Sequence, residues 1–242
     1  GVPRAGPVDA ATHRRVNRLV GNPADTAALE TAGGLVVEAL RPLIVATSAE
    51  GQRHTLRPGQ RLTVSAAPDT QWAYLSVRGG LLGEVVLGSR SHDTLSGLGP
   101  PPIRVGDEFA VGVDPGLGMP TDLAPVRRSD EPVRVWPAPR HPAALHSFTT
   151  TLWRVKEEVS RVGVRLVAAS ASPDDTIEIP PRGPSEGLVV GAIQLTPSGE
   201  AIVMLANHPT TGGYPVIGVV DPADVGHVAQ SPPGTVRRFR PA

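Results

Sequence analysis

The chain has 242 residues, and its 23 Lys and Arg balance its 23 Asp and Glu, so nothing global points to nucleic acid or to an anionic membrane surface. The length is enough to bury a core in one large or two small domains. The lack of cysteine excludes a disulfide framework and any thiolate metal site, while no apolar run spans a bilayer and no signal segment opens the chain, so a soluble, cytoplasmic protein is expected. In chain order, residues 9–20 ("DAATHRRVNRLV") predict the first helix. Asp9 is its candidate N-cap, Val16, Leu19 and Val20 share a face, and Gly21 ends it. "NPAD" at 22–25 repeats a helix-start pattern, with Asn22 as cap and Pro23 at the first helical position. Short runs of Val, Leu, Ala and Ile then recur between Gly, Pro, Asp and Ser, as many short strands require. The predicted strands are Leu35–Leu40, Leu43–Ala49, Arg61–Ala66, Trp72–Arg78, Phe109–Val113, Val133–Trp136, Leu188–Leu195, Ile202–Ala206, Val216–Val220 and Val236–Phe239. "TPSGEA" (196–201) reads as a hairpin turn, and "DPADVGHVAQ" (221–230) as a helix capped by Asp221. The fold class is therefore mainly β with a few short helices, and closing strands into barrels protects that many edges. The Pro-, Gly- and charge-rich stretch Asp114–Glu131 is the predicted linker. It divides the chain into halves at 1–118 and 119–242.

The stretch with most chemistry is "NHPTTGGYPVIGVV", 207–220. Pro209 biases His208 toward extended backbone. Gly212 and Gly213 let a ligand approach the main chain, and Thr210, Thr211 and the nearby N–H groups suit a carboxylate or phosphate. A tight turn with locally satisfied Thr and His explains the same residues. Histidine changes charge near neutral pH, so His208 is the acid/base candidate; Asn207 and Tyr214 flank the site. Arg161 and Arg165 in "SRVGVRL" are four apart, one face of a strand, where two guanidiniums suit an anion; pairing with Glu157, Glu158 or Glu186 is the alternative. Gln194, alone in an apolar run, is either a ligand-binding amide or a barrel-interior group bonded to backbone. Arg78 and Arg90 frame a Gly-punctuated loop that also holds Ser89, Ser91, His92 and Asp93. A Ser-His-Asp triad is disfavoured there, because strand neighbours point to opposite faces and no G-x-S-x-G elbow surrounds the serines. The seven histidines are scattered, His141 and His146 are five apart, and no metal site is expected. No G-x-x-x-x-G-K-[ST] phosphate loop occurs.

Taken in order, "GPVD…RRVNRLVGNPADTAALE", "YLSVRGG", "LGSRSHDTLSGLG", "SRVGVRL", "SEGLVVGAIQLTPSGEAIVMLANHPTTGGYPVIGVV" and "AQSPPGTVRRF" resemble the biotin-dependent carboxyltransferase domain family, over nearly the whole chain. That family takes in the C subunit of 5-oxoprolinase (KipA), allophanate hydrolase subunit 2 and the carboxyltransferase part of urea carboxylase. The resemblance implies two cyclophilin-like β-barrel domains and a partner, the B-type subunit or KipI homologue, with the A-type subunit as a further candidate. The activity it implies is ATP-dependent opening of 5-oxoproline to glutamate, shared with the A-type and B-type subunits. A KipA-type regulator that binds and antagonises KipI, and a carboxyltransferase acting on a urea-like amide, are the alternatives. ATP belongs, if anywhere, to the level of the complex. Substrate contacts then fall to Asn207, Thr210, Thr211, Gly212, Gly213, Tyr214, Arg161, Arg165, Gln194, Arg78 and Arg90, with His208 catalytic.

The chain departs from the family's pattern at several points. It starts at "GVP", where members carry a preceding strand and a "TTVQD-x-GR-x-G"-like run, so an edge strand or site loop is expected to be missing. "APRHPAALHS" (138–147) is shorter than the usual aromatic and acidic loop. Asn207 replaces a common Asp, and an amide cannot act as a carboxylate base. With no "MKM" segment, covalent biotin is not expected on this chain.

Overall fold

The computed structural model describes residues 1–120, 131–158, 160–169 and 177–242. It divides into two compact units. One comprises Asp9–His92 and Gly97–Arg127; the other comprises Gly1–Val8, Asp93–Ser96 and Arg128–Ala242.

The first unit opens with helix α1 (Ala10–Leu19), capped as expected: the Asp9 carboxylate accepts from the Thr12 N–H at 3.0 Å. Val16, Leu19 and Val20 are buried along one face. The strands are β1 (Leu29–Thr31), β2 (Leu35–Glu38), β3 (Leu43–Thr47), β4 (Arg53–Leu56), β5 (Arg61–Val64) and β6 (Ala73–Val77). They form a four-stranded antiparallel sheet in the order β1-β6-β3-β4 and a separate β2-β5 ribbon. Leu29, Val45, Leu56, Val64, Leu75 and Val77 make one apolar cluster, fed by the two-residue alternation of the strands.

Two expectations fail here. Residues 22–25 are a turn, not a second helix. The Asn22 side chain is taken by β6 instead: it donates to Val77 O at 2.8 Å and accepts from the Gly79 N–H at 2.9 Å. A distant partner thus outcompetes local capping. Phe109–Val113 is no strand either. It is joined to the chain near Leu81 by a single bridge at Val111 and by bonds from Leu82 N to Ala110 O and from Gly112 N to Gly80 O.

The second unit holds β7 (Val133–Pro137), α2 (Pro142–Thr150), β8 (Trp153–Val155), β9 (Gly163–Ala168), β10 (Glu186–Gly187), β11 (Ala192–Leu195), β12 (Ala201–Met204), β13 (Thr211–Gly212), β14 (Val216–Val220), α3 (Val225–Ala229), β15 (Val236–Arg237) and β16 (Phe239–Pro241). Eight of its strands form one sheet in the order β15-β8-β9-β12-β11-β14-β7-β16. Only Arg238 separates β15 from β16 in the chain, yet these two occupy opposite edges of the sheet. The sheet must therefore curl until its edges come together, which is a nearly closed barrel. Val135, Val164, Leu166, Ile193, Leu195, Val203 and Ile217 are buried. Phe148 on α2 is tilted against Trp153 and Phe239, with ring centroids 4.8 and 4.7 Å away, and the Trp153 indole N–H donates to Phe148 O at 2.8 Å.

The expected mainly β fold built on a barrel, with few short helices, holds. The 196–201 hairpin is present between β11 and β12, with Thr196 N bonded to Glu200 O at 2.9 Å. The last helix starts later than expected. Asp224, not Asp221, precedes it, and Asp221 O instead accepts from the N–H groups of Asp224 and Val225. The Asp224 carboxylate is drawn away from the helix by Arg134.

Candidate functional site

The segment 205–216 runs from the buried end of β12 to the start of β14. Its exposure rises along the way, from Asn207 and His208, which are buried, to Thr211, which is exposed. At the buried end, Asn207 N donates to Arg161 O at 2.9 Å. The Arg161 guanidinium donates to Asn207 Oδ1 at 3.2 Å and to Gly6 O at 2.7 Å. An amide oxygen thus serves as the acceptor at position 207. The neighbouring His208 N–H donates to Leu205 O at 3.1 Å, and its Nδ1 lies 2.8 Å from Pro209 O. A carbonyl oxygen only accepts, so Nδ1 carries the proton. In the neutral ring Nε2 then holds a free lone pair, the form a general base requires.

Beyond Pro209 the chain pairs with β10. Leu188 N donates to Thr210 O at 2.9 Å, and Thr211 and Gly212 pair with Gly187 and Glu186. Gln194 lies on the face of β11 shared with Ala192, next to the cluster of Leu188, Ala192 and Met204. It is 3% exposed, and its Nε2 donates to Tyr214 O at 2.8 Å. A β-bulge between β11 and β14 falls at Ile193 and Gln194, the kind of irregularity that re-aims side chains. A Cβ on Gly212 would sit 2.6 Å from Gln194 Nε2 and 2.9 Å from Leu188 Cδ1. The glycine is therefore required for the Gln194 amide to reach the backbone.

At the exposed end, Arg182 places its guanidinium over the Tyr214 ring, 5.4 Å from the centroid. A groove of about 280 Å³ opens there, lined by Ile179, Pro181, Leu195, Pro197, Tyr214 and Pro215 beneath Arg182. Arg182 is not among the residues expected from the sequence. Its signal was an arginine set between prolines in "PPRGP", a stiff turn that holds a long side chain at the surface.

The remaining expected residues lie elsewhere. Arg161 precedes β9, so it does not share a strand face with Arg165. Arg165 instead reaches Glu158 and Glu200, each at 3.3 Å, and Glu200 is shared with Lys156 at 2.8 Å. The Lys156 hydrogen bond holds the Glu200 carboxyl below the usual carboxylate range, and the same bond raises Lys156. Arg78 belongs to the other unit. It donates to Asp114 at 2.7 Å and to the carbonyls of Val20 and Leu117, each at 2.9 Å. Gly21, at φ +70, leaves it room: a Cβ there would lie 2.4 Å from the Arg78 guanidinium. Arg90 is exposed and donates to Gly83 O at 3.3 Å. Asp93, which closes the Ser-His-Asp run, is 2% exposed and accepts from the Ser96 N–H at 2.9 Å and from its hydroxyl. Among the described residues no group of three or more His, Cys, Asp and Glu is placed to hold a metal ion. Among the same residues no helix is long and apolar enough to cross a membrane.

Known proteins share this architecture. The chain is 30% identical over 260 residues to the C subunit of 5-oxoprolinase from Escherichia coli, a match covering 99% of this chain and 83% of that protein. It is 26% identical to the urea amidolyase of Saccharomyces cerevisiae, of which it covers 15%. The crystal structure of TTHA0988 superposes with a TM-score of 0.85 at 31% identity; the match takes in 99% of this chain but only about half, 51%, of that longer one. The Kluyveromyces lactis urea amidolyase structure matches with a TM-score of 0.80 at 26% identity over 17% of its length. Residues 1–241 of the chain match the carboxyltransferase domain, subdomain A and B, and with that coverage the chain belongs to this family.

Proposed function

We propose that this chain is the C-type subunit of an ATP-dependent 5-oxoprolinase, which opens the lactam of 5-oxoproline to glutamate together with partners of the A and B types. The observation that carries the reading is the 30% identity to the C subunit of 5-oxoprolinase over 99% of the chain. The site chemistry is compatible with it. In lactam opening the ring C–N bond breaks, oxygen from water becomes part of the new carboxylate, and the released nitrogen gains a proton. His208, with Nδ1–H on Pro209 O and Nε2 free to accept, is the group in this segment able to carry that proton. No G-x-x-x-x-G-K-[ST] loop occurs in the sequence, so the nucleotide site of the complex is either unconventional or lies in another subunit. A second reading, carboxyl transfer to a urea-like amide, rests on the likeness to urea amidolyase at 26% identity; it requires a biotin carrier from another domain.

The test is to co-express the chain with A-type and B-type subunits and to measure ATP hydrolysis and glutamate release. Glutamate formed only when all three are present supports the reading, and His208→Ala should then abolish turnover with the complex intact. An assembled complex that releases no glutamate from 5-oxoproline overturns it. If the same complex carboxylates urea once a biotinylated carrier is supplied, the second reading takes its place.

A further inference from the structure

We infer that Arg182 is the carboxylate-binding residue of a substrate groove lined by Tyr214 and Pro215. This rests on the 5-oxoprolinase reading for the identity of the ligand, and on geometry for the site itself.

The Arg182 guanidinium is exposed and lies beside an aromatic ring without an acidic partner among the described residues. It stacks over the Tyr214 ring at 5.4 Å, and its Nε and a terminal nitrogen lie 3.3 Å from where a Cβ on Gly213 would stand. An aromatic face and bare backbone therefore flank the guanidinium. Of the two acids four residues away, Glu186 pairs with Arg140 and also accepts from Val216 N, and Glu178 makes no ion pair with Arg182 among the described residues. No ion pair among the described residues includes Arg182. A planar fork with no carboxylate is the donor set that a carboxylate takes bidentately.

The groove beneath supplies the complementary half. Its walls are Pro181, Pro197 and Pro215 with Ile179, Leu195 and Tyr214. Proline rings lose little freedom when a ligand covers them, so such a lining is pre-organised. Its volume of about 280 Å³ has room for a small ring. The chemistry that fits is a compact, mostly apolar ring bearing one carboxylate. A five-membered lactam acid has that shape: the ring methylenes lie on proline and tyrosine, and the carboxylate meets Arg182. Gly213 is explained by the same arrangement, since a side chain there would press on the guanidinium. His208 does not line this groove, so a ring held there is outside its reach: the groove takes up the substrate, and proton transfer at His208 follows its release from Arg182.

The experiment is a calorimetric titration of the full chain with 5-oxoproline and, separately, with its neutral carboxamide. Wild-type chain should bind the acid, and Arg182→Ala should bind it about 10- to 100-fold more weakly, the range for a lost charge-assisted contact. Arg182→Lys should fall between, because the charge remains and the fork does not. The carboxamide should bind wild type and Arg182→Ala alike. Equal binding of the acid by wild type and Arg182→Ala overturns the inference while leaving the 5-oxoprolinase reading intact. No binding of the acid by wild-type chain also overturns it, and glutamate release by the assembled complex then decides the 5-oxoprolinase reading independently. Tyr214→Leu, which removes the platform but not the charge, should weaken the acid in the same direction; an unchanged affinity would count against the stacked geometry.

Discussion

Gly212 shows how much a single missing side chain can carry. Its would-be Cβ is 2.6 Å from the amide nitrogen with which Gln194 holds Tyr214 O. Gln194 is buried, so the amide that must give way would lose its bond to Tyr214 O. Gly212→Ala is therefore expected to lower stability by about 1–3 kcal/mol, combining overpacking with a weakened buried hydrogen bond. Urea denaturation would measure it, and Gln194→Ala in the same chain should recover part of the loss, because the clashing amide is gone. Gly213→Ala meets only the flexible end of Arg182 at 3.3 Å, so its effect on stability should stay within about 0.5 kcal/mol. Arg161 makes a contrasting case. It joins Gly6 O to Asn207 Oδ1 through one guanidinium nitrogen, which lies one bond further from Cα than a lysine Nζ does. Arg161→Lys should lower the melting temperature, with a loss of about 1–2 kcal/mol; an unchanged melting curve would show that the tie between these segments is not needed. These residues also mark what could be read in advance. The 207–214 stretch announced itself by composition, and Gly212 and Gln194 do meet there. The pairing of Arg161 with Arg165 rested on strand spacing, and it failed because β9 begins only at Gly163. Arg182 stood in a proline turn with no periodicity to flag it, and only the stacking on Tyr214 reveals it.

Among the elements, the strands with strong β-branched runs were the legible ones. Val216–Val220 matches β14 to the residue, and Leu43, Arg61 and Val133 each begin a strand where the apolar run begins. The two-residue strands β10 and β13 were not legible as elements in their own right, since their pairing is decided by partners far along the chain, whereas the predicted strand Val236–Phe239 begins with β15 and is split at Arg238 into β15 and β16. Helix α2 was missed because its sequence, PAALHSFTT, begins after a histidine with no side-chain cap bond. Helix α3 was found but started too early, because the carboxylate of Asp224 is drawn to Arg134. That contact makes a prediction at this scale. Arg134 donates to both oxygens of Asp224, at 2.8 and 2.9 Å, and its backbone N–H donates at 2.9 Å, fastening β7 to the start of α3. The hydrogen bond from Arg134 is the main cause that holds the Asp224 carboxyl below its ordinary 3.8. A depressed folded pKa means that the ionised form is favoured by folding. Its stabilisation is fully present above pH 3.8 and is lost as pH falls through the lower folded value. Asp224→Asn should therefore cost about 1–2 kcal/mol at pH 7, the range for a partly solvated charge-assisted bond. The gap to wild type should close on acidification below the ordinary carboxylate pKa. A gap that stayed constant from pH 7 to pH 2 would show that the ion pair contributes nothing to the fastening.

For the molecule as a whole, charge balance sets its behaviour in solution. The formal net charge is zero and the sequence isoelectric point is about 7.3, so charge repulsion between copies is weakest near neutral pH. The surface offers apolar contacts that repulsion would otherwise keep apart. Leu82, Val85, Leu87, Leu95, Val105 and Val113 are all more than half exposed, and all fall in one stretch of the chain. That stretch contains isolated bridges but no regular strand to bury them. Copies of the isolated chain are therefore expected to attract one another most strongly near pH 7.3. Raising the pH to about 9 moves the chain well past its isoelectric point and restores repulsion. Light scattering should show the second virial coefficient at its minimum near pH 7.3 and rising on either side. Val105→Asp together with Val113→Asp adds two negative charges and removes two apolar contacts. The pair should shift the minimum to lower pH and make it shallower, with the melting temperature unchanged because both side chains are exposed. If the minimum kept its depth in that double variant, the attraction would have to come from elsewhere on the surface; if it did not shift in pH, net charge would not be what governs it.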